Sequence, residues 1–103
     1  MKLGDIAMAR SGDKGADANV GVWARTDEDF ALLQTHLTAE RVKAHFAEVC
    51  RGDVLRYELP KLRALNFILR DALDGGASAS LRTDALGKTY GNGLLLLEIP
   101  DQP

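Results

Sequence analysis

The chain has 103 residues, 13 lysines and arginines against 15 aspartates and glutamates, and a formal net charge of −2. At 46% hydrophobic and 27% charged it has the composition of one ordinary globular domain and not of a disordered segment. Basic and acidic residues are mixed, with no basic block for nucleic acid or a membrane surface, and the longest apolar run, Leu94 to Leu97, is far too short to span a bilayer.

Leu3 to Ala9 alternates loosely and reads as a first strand, weakened by Gly4. Ala18 to Arg25 reads as a second, with Val20, Val22 and Ala24 on one face and Gly21, Trp23 and Arg25 on the other. The intervening glycine-rich stretch would make an unusually long hairpin connection. Thr26 or Asp27 caps a helix carrying Phe30, Leu33 and Leu37; Thr38 caps a second, with Val42, Phe46 and Val49 as its buried stripe and Gly52 as its end. Asp53 to Leu59 alternates as a third strand, stopped by Pro60. Lys61 to Leu73 spaces Leu62, Leu65, Leu69 and Leu73 as a third helix, closed by Gly75-Gly76. Ser78 to Thr83 and Lys88 to Ile99 read as two last strands joined at Asp84 to Gly87. The order ββ-αα-β-α-ββ predicts an α+β, two-layer sandwich: a mostly antiparallel sheet with helices on one face, in a single domain over 1–103. Leu94 to Leu97, apolar on both faces of the last predicted strand, needs a cover besides the helices, and a partner subunit is the simplest one.

The segment ARSGDKGADANVGV, Ala9 to Val22, is the most pointed in the chain. Glycines at 12, 15 and 21 let the backbone turn and expose N–H groups, and Arg10 and Lys14 add positive charge, so a carboxylate, a phosphate or an acyl-CoA anion could sit there. Asp13 and Asp17 argue against a purely cationic pocket, and the spacing is not that of a P-loop. The structural alternative is a braced turn in which Asp13 and Asn19 satisfy their own backbone. Candidate ligand-binding residues are therefore Arg10, Ser11, Gly12, Asp13, Lys14, Gly15, Asn19 and Asn66, the last an amide on the apolar face of the predicted third helix that must find a hydrogen bond. With Val20 and Val22 facing the helices, Trp23 falls on the opposite sheet face and with Leu95 and Leu97 forms a candidate interface; the alternative is a reversed register that puts Trp23 in the core. Arg82 and Lys88 flank the last hairpin as solvated charges.

His36 and His45 read as surface imidazoles without metal-ligand spacing, and Cys50 as a buried inert thiol at a helix end. One cysteine excludes an internal disulfide and fits a reducing cytoplasm, and the N-terminus lacks the apolar core of a signal peptide. No catalytic residue, metal or cofactor is assigned.

The loop ARSGDKGADANVGV, the block YELPKLRALNFILRDALDGG and the tail SLRTDALGKTYGNGLLLLEI together resemble the ferredoxin-fold domain of AtuA-type proteins, which are associated with acyclic terpene utilisation. The resemblance covers about Leu3 to Ile99 and implies a ferredoxin-like fold. In that family the domain commonly follows a much larger one, so a chain that begins at Met1 implies a split arrangement with a separate large subunit. Three expectations follow. The first is a non-catalytic accessory domain that assembles with a larger AtuA-type subunit or with itself through the open sheet face. The second is a module binding a carboxylate or acyl-CoA anion at Arg10 to Gly15. The third is a small independent enzyme using Asp13 or Lys14.

Overall fold

The structure, a computed structural model, describes residues 1–72 and 90–102. Its elements are β1 (Ala7–Lys14), β2 (Asp17–Ala24), α1 (Asp27–His36), α2 (Ala39–His45), β3 (Val54–Leu59), β4 (Ala64–Leu69) and a helical segment, α3, at 90–94. The strands form one four-stranded antiparallel sheet in the order β1-β2-β4-β3. The α+β architecture is the expected one, and the fold is ferredoxin-like.

Four local expectations are corrected. The first strand begins at Ala7, since Leu3–Asp5 forms a 3-10 turn instead. The glycine-rich segment is not a loop: β1 runs to Lys14, pairs with Asp17, and turns through Gly15 and Ala16 alone. Gly15 has φ +64° and is the only positive-φ residue of that turn, the pattern of a type II′ hairpin.

The predicted third helix is β4. Leu62, Leu65 and Leu69 fit a helical spacing, but Leu65, Phe67 and Leu69 also alternate, and all three are buried while Leu62 is 68% exposed. Pro60 opens a 3-10 turn, Arg63 closes it in the left-handed region, and β4 then returns along β3. The last predicted strand is also overturned over 90–97, which is helical and then turned, leaving only a bridge between Lys2 and Glu98. Leu94 and Leu97 are buried in the chain's own core, Leu95 packs against it, and Leu96 is exposed. The argument for a partner from that leucine run therefore falls. The expected turn at Gly75-Gly76, the strand at Ser78 to Thr83, its hairpin, Arg82 and Lys88 lie outside the described residues.

The helices cover one face. Thr26 and Thr38 cap α1 and α2 as expected, their hydroxyls accepting from the N–H of Asp29 and Arg41 at 3.1 Å each. Phe30 and Leu33 of α1 pack with Val20, Val22, Leu65 and Phe67 of the sheet. Small residues on β1, Ala7 and Ala9, let α3 lie close: a Cβ on Gly91 would stand 3.3 Å from the Ser11 backbone nitrogen. Tyr90 anchors α3, donating from its hydroxyl to the Ala72 carbonyl at 3.0 Å and meeting Phe46 edge-on. The two ends of the chain clasp each other: the Met1 ammonium donates to the Ile99 carbonyl, and Ile99 N–H to the Met1 carbonyl, both at 2.9 Å.

Candidate functional site

The sheet face turned away from the helices carries every second residue of each strand. Register sets Met8 beside Trp23 and Ala64, Arg10 beside Gly21, Asn66 and Tyr57, and Gly12 beside Asn19, Ile68 and Leu55. No described element packs on this face.

A shallow hollow of about 410 Å³ lies over β1, β2 and β4, lined by Arg10, Ser11, Gly12, Asn19, Gly21, Trp23 and Asn66. Two glycines make it. Neither has a positive φ, and a Cβ on Gly12 would meet nothing within 4 Å, on Gly21 nothing nearer than 3.9 Å. Backbone conformation and internal packing thus leave both positions free to carry a side chain, and glycine inside a strand weakens it. Arg10 is exposed, and its guanidinium and the side-chain amides of Asn19 and Asn66 have no partner among the described residues. The hollow offers one cation and two amides above a bare floor, with the Trp23 indole at one end.

The structure brings Arg10, Gly12, Asn19 and Asn66 together, although Asn66 arrives on a strand and not on a helix. Ser11 points the other way: its hydroxyl accepts from the Gly91 N–H at 2.9 Å and fastens α3 to β1, so only its backbone borders the hollow. Gly15 serves the turn. The side chains of Asp13 and Lys14 lie outside the described residues. Trp23 does face the open side, half-buried, but Leu95 and Leu97 are on the helix side and do not join it.

What the sequence reading missed is the inversion of β3 beyond Val54, which is buried in the core. Its next two helix-facing residues are polar: the Arg56 Nη2 donates to the Gln34 carbonyl and to Glu58 Oε2 at 3.1 Å each, and Gln34 Nε2 donates to Glu58 Oε1. Its apolar residues Leu55, Tyr57 and Leu59 therefore face outward, Tyr57 51% and Leu59 43% exposed. The alternation of VLRYEL was visible, but not the side on which α1 would lie.

The two histidines and Cys50 are tied into the scaffold. His36 and His45 donate from Nε2 to the carbonyls of Gln102 and Gly93 at 2.7 and 2.8 Å. Burial pushes the Cys50 thiol up from its ordinary range, against a smaller lowering by the Gly52 backbone. No group of three or more metal-ligating side chains gathers among the described residues. No described helix is long and apolar enough to cross a membrane.

A profile of the AtuA ferredoxin-like domain matches residues 1–100. The chain belongs to this family. No curated protein and no solved structure matches it. Within this AtuA ferredoxin-like domain the open sheet face, with its hollow and the outward-turned Leu55, Tyr57 and Leu59 of β3, is the side on which no described element packs.

Proposed function

We propose that this AtuA ferredoxin-like domain is a cytoplasmic accessory domain, non-catalytic by itself, that docks through its open sheet face onto a larger AtuA-type subunit. Its setting would be the catabolism of acyclic terpenes or related branched acyl compounds, the association that the family resemblance carries. One observation supports the docking above the others: past the buried Val54, β3 turns Arg56 and Glu58 to the helices and Leu55, Tyr57 and Leu59 outward. The described open face is composed accordingly, with Trp23, Tyr57, Met8 and Arg10 among aliphatic residues. The carboxylate that the register places on this face, Asp17, sits at its end beside the turn and accepts from the Asp71 N–H. Aromatic residues, methionine and arginine are the types enriched where proteins bind each other, and carboxylates are depleted there. The hollow over Gly12 and Gly21 would then receive an anchoring side chain.

The test is a pull-down from source cells with the chain tagged at its C-terminal end. Recovery of a protein bearing the large AtuA-type domain in near-equal amount, lost with Tyr57→Glu plus Leu59→Glu, supports the reading. Recovery of the chain alone, or capture that survives the double variant, overturns it.

A second reading rests on the unpartnered Arg10, Asn19 and Asn66 around that hollow: a small carboxylate bound there, its acyl body over Gly21. Calorimetric titration with benzoate checks it. Heat released with the wild type and abolished by Gly21→Val, which fills the floor, supports it; no heat, or heat unchanged in the variant, removes it.

A further inference from the structure

Among the described residues β3 is an edge strand, so one side of its backbone has no neighbouring strand there. Hydrogen bonds at the two ends of β4 say which groups face out. The Arg70 N–H donates to the Asp53 carbonyl, on the β3 side, whereas the Arg63 carbonyl accepts from Ala24, on the β2 side. Antiparallel pairing alternates, so residues 64, 66 and 68 of β4 bond β3. Their partners are Leu59, Tyr57 and Leu55. The N–H and C=O groups of Val54, Arg56 and Glu58 therefore point away from the sheet, and none finds a partner among the described residues. Asp53 turns back to Arg70 at one end, and Pro60, which lacks an N–H, stops the free edge at the other.

The six residues of this edge, Val-Leu-Arg-Tyr-Glu-Leu, complement their own antiparallel copy. Centred on Tyr57, Arg56 stands opposite the partner's Glu58, Glu58 opposite the partner's Arg56, and Leu55 opposite the partner's Leu59. The outward groups of Arg56 and Glu58 then meet as hydrogen-bonded pairs, and Tyr57 meets the partner's Tyr57 at the closer, non-bonded spacing. Sliding one step that keeps outward groups opposed sets Arg56 against the partner's Arg56, or Glu58 against the partner's Glu58, both unfavourable. Charge thus selects a single register.

We propose that two copies of this chain join through β3 about a two-fold axis at Tyr57, extending the two sheets into one. This uses the edge and not the open face, so it stands apart from the docking reading above. It also brings the exposed Tyr57 and Leu59 of each copy against the other, on the same side as the hollow. A two-fold contact of this kind closes on itself and goes no further. The competing role for Arg56 and Glu58 is to guard the edge against strand addition.

Charge exchange separates the two. By sedimentation equilibrium the wild type is expected to be a dimer, and Arg56→Glu and Glu58→Arg alone to self-associate roughly tenfold or more weakly, since each then opposes like charges. Mixed in equal amounts, the two variants should form a one-to-one dimer, each acidic edge facing a basic one, which native mass spectrometry resolves. Recovery on mixing shows both chains to be folded. The double variant R56E/E58R, which restores both the pairing across the edge and the pair within the strand, should dimerise again. A wild type that is monomeric at every concentration overturns the proposal and leaves the charges as edge guards. Single variants that dimerise like the wild type, or a mixture and a double variant that both stay monomeric, overturn it too.

Discussion

At the scale of single residues the chain separates glycines that the fold requires from glycines that it does not. A Cβ on Gly52 would lie 2.7 Å from the Arg70 carbonyl oxygen and 2.9 Å from its carbon, backbone that can shift only with β4. Gly52→Ala should cost about 1–3 kcal/mol, the usual penalty for overpacking. Gly21→Ala meets nothing closer than 3.9 Å and should leave stability unchanged or raise it by roughly 0.5 kcal/mol through the unfolded chain. Urea unfolding of the pair checks both. Tyr90 carries a pH prediction. Burial pushes its phenol up to about 12 from the ordinary tyrosine value of 10.0. A group raised on folding contributes fully below its unfolded pKa, so stability should hold up to pH 10 and fall as pH climbs toward 12. Tyr90→Phe should remove that alkaline loss. It should also lower stability at neutral pH by about 1–3 kcal/mol, because the buried Ala72 carbonyl loses its donor. Denaturation midpoints of both proteins across that pH range decide it.

At the scale of elements, what the sequence made legible depended on whether one period or two fitted. The faces of β2 were plain because Val20, Val22 and Ala24 alternate strictly with Asn19, Gly21 and Trp23, and only a strand fits. The caps of α1 and α2 were equally plain, since Thr26 and Thr38 stand just before apolar residues at helical spacing. β4 was not, because leucines at 62, 65 and 69 satisfy a helix while 65, 67 and 69 satisfy a strand, and only pairing with β2 and β3 decides. The two assignments differ measurably. As a strand, β4 makes Phe67→Ala cost about 3–5 kcal/mol and leaves exposed Leu62→Ala within about 0.5 kcal/mol of the wild type. A helix would make Leu62 the costly one. Thermal unfolding of the two variants distinguishes them. The candidate site was legible as a set of residue types but not as a surface. Arg10, Gly12 and Asn19 read from sequence as parts of a loop, yet they meet Asn66 only because β1 and β2 stay paired down to the Gly15 turn and β4 lies alongside.

At the scale of the whole molecule, the sheet joins two hairpins through β2 and β4, whereas the clasp joins residues at opposite ends of the chain. Met1 and Ile99 exchange backbone hydrogen bonds, Leu3 and Gly4 donate to the carbonyls of Leu97 and Leu95, and the Met1 ammonium lies 3.3 Å from Glu98. Little in the sequence announced this, because the register between two ends carries no local signal. Contacts so distant close the longest loop available and give nothing back until the chain between them is ordered. The clasp should thus be the last part to form and the first to open, as a unit smaller than the whole domain. Hydrogen exchange measures this directly: the amides of Leu3, Gly4 and Ile99 should exchange together, with a smaller opening free energy than those of Val20 and Phe67. Equal protection throughout would mean that the ends and the sheet unfold in one step. If the ends do open first, the ordering of folding is written into the connectivity itself, and the leucines of 94–97 become the surface that a half-closed molecule exposes.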